Sequence, residues 1–392
     1  MATPLVIAGV RLIDGTGRGV LEDAVVGIRD GRVVSAGSEV PALGADVIDA
    51  NGLTLIPGLI DCHVHLCFDG NADFAGDAER MTEDDARARC AANAGRALEA
   101  GITTVRDLGG IGAATIDTAR AQRSGEVTGA RILTAGEVLT VPGGHAHFIG
   151  REVSSVEEMT KAVASLNEAG ADVVKIVATG GVLTPGIGAT QSAFPQDQLD
   201  ACVAEAHRRG MRVAAHAIGA EGIDAAVRAG VDSIEHGCYL THPIIEEMIA
   251  GPTWLVATLA APDRISHGGG GVPDYARAKS DEVMEAHRAS FARAVAEGVR
   301  IASGTDAGTP FNLHGGLAYE LRLMHQTGMP LHRVLTAATG HAAQLLGLGD
   351  LGTIEPGRIA DMVLLDGDPL TDVGAYEQVA MVIQGGRVVV DR

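Results

Sequence analysis

The sequence predicts an α/β protein: a (β/α)8 TIM-type barrel with a small β-sandwich domain formed by both chain termini. Three observations predict it. Eight apolar segments, 59–65, 103–107, 131–135, 172–178, 212–216, 232–236, 253–258 and 299–304, alternate with helical stretches rich in Ala, Glu and Arg at 83–100, 113–123, 155–169, 196–209, 220–229, 243–250 and 281–297. A further helix fits 329–346. Residues 4–11, 23–29, 32–37 and 46–55 at one end, and 360–366, 379–384 and 387–391 at the other, read as short strands between turns such as Asp30-Gly31, Asn51-Gly52 and Gly385-Gly386. Hydrophobic residues make up 46% and aromatics 3%, with 53 Gly, so the core is built from Val, Ile, Leu and Ala with many tight turns. The predicted organisation places residues 1–56 and 351–392 in one β domain and 57–350 in the barrel.

An open doubly wound sheet is the alternative, but the turn after its first strand would hold Gly-x-Gly-x-x-Gly, and this chain holds histidines there. The run Gly268–Gly271 is not followed by Lys-Ser/Thr and reads as a mobile loop rather than a phosphate cradle.

The formal charge is −20, from 50 acidic and 30 basic residues, without a Lys/Arg cluster that could track phosphates, which counts against a nucleic-acid partner. The start lacks a charged n-region with an apolar h-region, and no apolar run reaches the ~18 residues of a membrane span. A cytoplasmic protein without membrane contact, acting on a small-molecule substrate as a homo-oligomer, is expected. Five cysteines lie scattered without Cys-x-x-Cys spacing, and we read them as reduced thiols.

Chemistry concentrates where a barrel would place it, at the C-terminal ends of strands. His63 and His65 lie two apart on the first strand and so project to one face. The fourth strand carries Lys175 between Val173, Val174, Ile176 and Val177, the fifth ends in His216, the sixth in His236, and Asp306 follows the eighth. A buried lysine loses its proton readily, and the free amine reacts with carbon dioxide to give a carbamate able to bridge two cations. Pairing with a buried acid or snorkelling to solvent are the structural alternatives. Nitrogen and oxygen donors suit Zn²⁺ first, then Mn²⁺, Co²⁺ or Fe²⁺, and six donors exceed what one tetrahedral ion uses, so two divalent ions fit better.

In Gly143-Gly144-His145-Ala146-His147 the spacing recurs on a loop, where substrate contact by His145 is the better reading. His207, His267, His287, His325, His332 and His341 read as surface or packing groups, and Arg106 and Arg151 as possible partners of a substrate carboxylate.

These residues resemble the amidohydrolase superfamily. The motifs that carry the resemblance are Pro57-Gly58-Leu59-Ile60-Asp61-Cys62-His63-Val64-His65, Lys175, His216, Glu235-His236-Gly237, Gly304-Thr305-Asp306 and Gly352-x-Ile354-x-x-Gly357-x-x-Ala360-Asp361. Gly143-Gly144-His145, His236-Gly237-x-Tyr239-Leu240 and Asp306-Ala307-Gly308-Thr309-Pro310 resemble its prolidase-like, imidazolonepropionase-related branch, which includes dipeptidases and N-acyl amino acid hydrolases.

The resemblance implies that His63, His65 and Asp306 hold one ion and His216 and His236 the other, with carbamylated Lys175 and a hydroxide bridging them. It also implies that Asp306 takes the hydroxide's proton and that Tyr239 polarises the carbonyl. The expected activity is cleavage of an amide bond in a dipeptide, Xaa-Pro-like, or an N-acyl amino acid. A cyclic amide, lactone or carbamate hydrolase would use the same centre. Mononuclear deaminases carry a strand-five Glu and lack the strand-four lysine, whereas here Lys175 is present and Glu221 lies too far beyond His216. A non-enzymatic scaffold would have no use for the full donor set.

Overall fold

The computed structural model describes residues 3–39 and 44–392; residues 1–2 and 40–43 of the expected N-terminal β unit lie outside it. The first five strands are β1 (Leu5–Ile13), β2 (Val20–Arg29), β3 (Arg32–Gly37), β4 (Asp46–Asp49) and β5 (Thr54–Pro57). Nine parallel-sheet strands follow: β6 (Leu59–Val64), β7 (Ile102–Asp107), β8 (Arg131–Thr134), β9 (Val138–Thr140), β10 (Gly150–Glu152), β11 (Val173–Val177), β12 (Arg212–Ala217), β13 (Ser233–His236) and β14 (Trp254–Val256). The chain ends in β15 (Met362–Leu365), β16 (Val379–Gln384) and β17 (Arg387–Asp391).

The strands of both termini join as expected, but in one eight-stranded sheet of order β17-β16-β15-β5-β1-β2-β3, with β4 on β1, and not as the two facing sheets of a sandwich. The reason is the pairing of β5 with β15, in register from Met362 opposite Pro57 to Leu365 opposite Thr54, which joins the two halves without a break. Period-2 alternation gives this sheet two apolar faces. Leu55, Met362, Leu364 and Ile383 pack with Ile7, Leu12 and Val26 on one face. Ile56, Val363, Leu365 and Val382 turn into the large core shared with the parallel strands. Strands buried on both faces read as continuous apolar runs, which is what residues 54–57 and 362–365 are.

The βα alternation is present, but its strands fall into two sheets, β10-β9-β11-β12-β13-β14 and β6-β7-β8, and not into one closed ring of eight. The expected eighth strand, 299–304, is reduced to an isolated bridge between Ile301 and Leu255. Its backbone still bonds on both sides, Leu255 N donating to Arg300 O at 2.9 Å and Cys62 N donating to Ser303 O at 2.9 Å. Local side chains explain the lost ladder: Ser303 Oγ donates to Ile60 O, and Thr305 Oγ1 donates to Asp61 Oδ2 at 2.7 Å. Asp306, at φ 61°, then leaves the extended conformation altogether. At the other seam, between β8 and β11, Asp172 N donates to Thr134 O at 2.8 Å.

Helix ends follow their caps. Thr82 accepts from Asp85 N to start Glu83–Glu99, and Ser155 accepts from Glu158 N to start Val156–Ala169, which ends at left-handed Gly170. The helix expected at 281–297 starts earlier, at Asp274. The one expected at 329–346 is two helices, Leu331–Ala337 and Gly340–Leu346, interrupted at Thr339 (φ −135°, ψ −95°). Among the described residues no helix is long and apolar enough to cross a membrane.

The junction between the terminal sheet and β6 is tight. A Cβ on Gly58 would sit 2.3 Å from Thr103 Oγ1 and 2.7 Å from its Cγ2, and Thr103 is buried. Gly58→Ala is therefore expected to cost ~1–3 kcal/mol by overpacking. Urea denaturation checks this, and Thr103→Ala placed in the Gly58→Ala background should recover part of the loss.

Candidate metal centre

Four imidazoles converge on one pocket, each held by one ring nitrogen. His63, from β6, places Nδ1 2.8 Å from Glu235 Oε2. His65, just beyond that strand, places Nδ1 2.8 Å from Gly109 O. His216, in β12, places Nε2 2.8 Å from Gly180 O. His236, which ends β13 at φ 73°, places Nδ1 2.7 Å from Thr258 Oγ1, whose own proton goes to Ala257 O. Carbonyls and carboxylates only accept, and the Thr258 hydroxyl has already spent its proton, so each contacted ring nitrogen carries the hydrogen. The free lone pairs are then Nε2 of His63, His65 and His236 and Nδ1 of His216. Anchoring the far nitrogen in this way sets the tautomer and orientation of a metal-ligating histidine.

The rings are close. Centroids lie 5.4 Å apart for His63 and His65, 5.3 Å for His63 and His236, and 4.6 Å for His216 and His236. Asp306 Oδ1 is 3.3 Å from both His63 Nε2 and His65 Nε2 but lacks hydrogen-bond geometry to either. One donor atom from each of His63, His236 and Asp306 lies within 4.8 Å of the others. Burial pushes His63 down to about 4, His216 to about 3 and His236 well below its ordinary value, so these rings are neutral at pH 7.

Lys175 faces the same pocket from the middle of β11. Its Nζ has no hydrogen-bond partner among the described residues, and burial lowers its pKa to about 8. A buried, unpartnered amine and an unpartnered carboxylate oxygen, surrounded by free imidazole lone pairs, are costly unless a further group completes them. Divalent ions bound by nitrogen and oxygen donors fit these residues.

Glu235, for which the sequence offered only a motif position, lies beneath the rings and is fully buried. Burial alone would raise its pKa, but the Arg106 guanidinium and the His63 contact outweigh this and hold it at about 2. Arg106 donates from Nη2 to Glu235 Oε1 at 2.8 Å, from Nη1 to Ser233 Oγ at 3.1 Å and from Nε to Cys62 O at 2.6 Å. That corrects the reading of Arg106 as a substrate partner, since its guanidinium is enclosed and engaged. Arg151 pairs with Glu137 at 2.6 Å.

His145 lines the pocket with its ring 4.5 Å from that of His216 and Nδ1 2.9 Å from Thr184 Oγ1. Tyr239 is not among the lining side chains; it packs beside Ile218, Cys238 and Val283, which are. His287, read from sequence as a surface or packing group, is buried and lines the pocket. The helical spacing of Ser280, Val283, His287, Ser290, Phe291 and Ala294, all buried, was the signal that its face points inward. Apart from Thr309, the rest of the wall is largely apolar and includes Phe74, Phe148, Ile149, Leu183, Ile265 and Val283.

Comparison with known proteins places these features in context. Residues 54–389 match the profile of the amidohydrolase family. An ochratoxinase from Aspergillus niger is 30% identical over 369 residues, covering 85% of this chain and 75% of its own. An imidazolonepropionase from Sphingopyxis alaskensis is 28% identical over 394 residues, covering 91% of this chain and 89% of its own. The crystal structure of a Xaa-Pro dipeptidase with bound methionine in the active site superposes with a TM-score of 0.92 at 32% identity, covering 98% of this chain and 99% of that one.

Removing Arg106 leaves a buried charge on Glu235, so Arg106→Met is expected to cost ~3–5 kcal/mol and Arg106→Met with Glu235→Gln less. The pH dependence has a definite sign. In the wild type the folded-state carboxyl titrates below its unfolded value, so the pair's contribution is full above ~4.3 and is lost as pH falls toward 2. In Arg106→Met the carboxyl is raised by burial, so stability is recovered as pH falls and the deficit shrinks between pH 7 and 4. Urea melts at both pH values measure it; a constant deficit would contradict the charge argument.

Proposed function

The chain belongs to the amidohydrolase family, and from that premise we propose that it hydrolyses the amide bond of a dipeptide, Xaa-Pro-like, or of an N-acyl amino acid. It is a hydrolytic enzyme; the substrate class is our reading. The observation that carries it is the meeting of four singly anchored imidazoles with two unpartnered groups, Asp306 Oδ1 and Lys175 Nζ, in one apolar pocket. Likeness to proteins named ochratoxinase and Xaa-Pro dipeptidase supports the choice of amide substrates.

In this reading His63, His65 and Asp306 would hold one divalent ion, and His216 and His236 would hold a second. Lys175 would serve both as its carbamate, formed when the free amine adds to the carbon of carbon dioxide and gives its proton to water. Zn²⁺ suits the donor set first, with Mn²⁺, Co²⁺ and Fe²⁺ also compatible. When bound, the ions supply Lewis acidity toward a carbonyl oxygen and an acidified water. The protein supplies the proton path: Asp306 accepts a proton and returns it to the departing nitrogen. His145, steadied by Thr184, is assigned to the substrate carbonyl.

The pocket wall is positioned by the helix Asp274–Glu297. Lys279 Nζ donates to the carbonyls of Gly181, Thr184 and Ile187, and the Tyr275 hydroxyl donates to Leu183 O, so the segment bearing Val182 and Leu183 is pinned against the cavity. We also read the two parallel sheets, bonded at both seams, as one TIM-type barrel over 57–350, with 1–56 and 351–392 as the second domain. A panel of dipeptides, N-acyl amino acids, cyclic amides, lactones and carbamates assayed with metal-loaded protein tests the function. Turnover confined to the last three would remove the dipeptide and N-acyl amino acid reading.

Elemental analysis should find about two divalent ions per chain, and exhaustive chelation should abolish activity. Asp306→Asn removes the proton acceptor, so kcat should fall ~10²-fold or more in a folded protein. Lys175→Ala should lose activity and most of the bound metal, and a short-chain carboxylic acid added in solution should restore part of both. Full metal content in Lys175→Ala would end the bridging role.

A further inference from the structure

His287 sits one turn beyond Val283 on the helix Asp274–Glu297, and both side chains line the pocket. The imidazole is 1% exposed, and neither ring nitrogen has a hydrogen-bond partner among the described residues. The backbone carbonyls of Ala257 and His236 stand near the ring without hydrogen-bond geometry. An imidazole has at least one N–H to donate whatever its protonation state, and here no group of the protein takes it up. A polar ring kept dry and unpaired beside a cavity is costly unless something entering the cavity completes it.

The other polar groups of the lining are already committed. Six are the proposed metal-holding residues, His145 Nδ1 meets Thr184, and the Thr309 hydroxyl donates to Asp306 O. Apart from Lys175, no lysine or arginine lines the pocket among the described residues. The helix Asp274–Glu297 packs against Ala260–His267, whose Ala261, Pro262 and Ile265 join Val283 and His287 in the lining. Yet a dipeptide or N-acyl amino acid carries a carboxylate one carbon from the scissile nitrogen, and that charge enters with it. The scissile carbonyl belongs to the centre itself, so the carboxylate is the substrate group that still lacks a donor.

We propose that His287 is the specificity-determining residue that receives the carboxylate of the amino-acid half of the substrate, by donating its ring N–H. The proposal rests on the amide-hydrolase reading above. It deepens that reading by placing the leaving amino acid against the helix Asp274–Glu297, and the acyl half toward Phe74 and Phe148 on the His65 side.

The test uses the products, so that binding is read without turnover. Titration calorimetry on the protein as purified, with its ions, compares L-phenylalanine with 2-phenylethylamine, which lacks only the carboxylate. The wild type should bind the amino acid ~10-fold or more tightly than the amine, the range of a hydrogen bond to a charged group. His287→Leu should bring the two to within about twofold, and His287→Asn, which keeps a donor, should retain an intermediate preference; the twofold limit is set against that same hydrogen-bond range. Metal content and melting temperature at wild-type levels show that the variants are intact. If His287→Leu does not fold, an undiminished preference in His287→Asn is the overturning result. Equal binding of the two ligands by the wild type, undetectable binding of the amino acid, or full preference in His287→Leu would each overturn the proposal. A wild type that prefers the amino acid through His287 yet splits no dipeptide or N-acyl amino acid in the substrate panel would leave this site standing and remove that substrate reading alone.

Discussion

The buried ion pair of Arg106 and Glu235 is the interaction on which the centre depends. Arg106 comes from β7 in the three-stranded sheet and Glu235 from β13 in the six-stranded one, so the pair ties the two parallel sheets together beneath the pocket. The same carboxylate accepts from His63 Nδ1 and thereby directs that ring's Nε2 into the cavity. Two buried charges are tolerated because each is surrounded: Arg106 also meets Cys62 O and Ser233, and Ser233 Oγ donates to Glu235. A neutral residue in place of Arg106 would leave the carboxylate to protonate and His63 without a fixed tautomer.

Above that pair, the site is made by departures from regular structure. His236 and Asp306 both take left-handed backbone conformations, φ 73° and 61°, which are unfavourable for residues with a Cβ. Asp61 holds the second of these in place by accepting from Thr305 N at 3.0 Å and Thr305 Oγ1 at 2.7 Å. Gly304 leaves room for the approach, since a Cβ there would lie 2.4 Å from Val256 Cγ1. The eighth strand is thus given up as a ladder so that its last residue can turn Asp306 toward His63 and His65.

Within the pocket a polar floor meets apolar walls. Imidazoles, an amine of lowered pKa and a carboxylate share the floor, while Phe74, Phe148, Ile149 and Ile265 line the walls. Low local polarity keeps His63, His216 and His236 unprotonated and makes any charge arriving with a substrate dependent on a specific donor. Among the described residues, His287 is the one polar side chain on the wall with both ring nitrogens unspent.

The sequence by itself determined what periodicity and residue chemistry encode. His63 and His65 share a face because strand side chains alternate, Lys175 is dry because its neighbours on β11 are apolar, and the βα alternation names the layer architecture. Only the tertiary structure decided the relations between distant segments. β9 and β10, three residues each, carry too little pattern to be read and exist because β9 pairs with β11 on one side and with β10 on the other. The single terminal sheet follows from β5 meeting β15 across some three hundred residues, a register that no local period specifies. Arg106 and His287 show the same limit at the site. A strand or helix period says which face a side chain occupies, but the group opposite it, Glu235 for the arginine and an open cavity for the histidine, is contributed by another part of the chain.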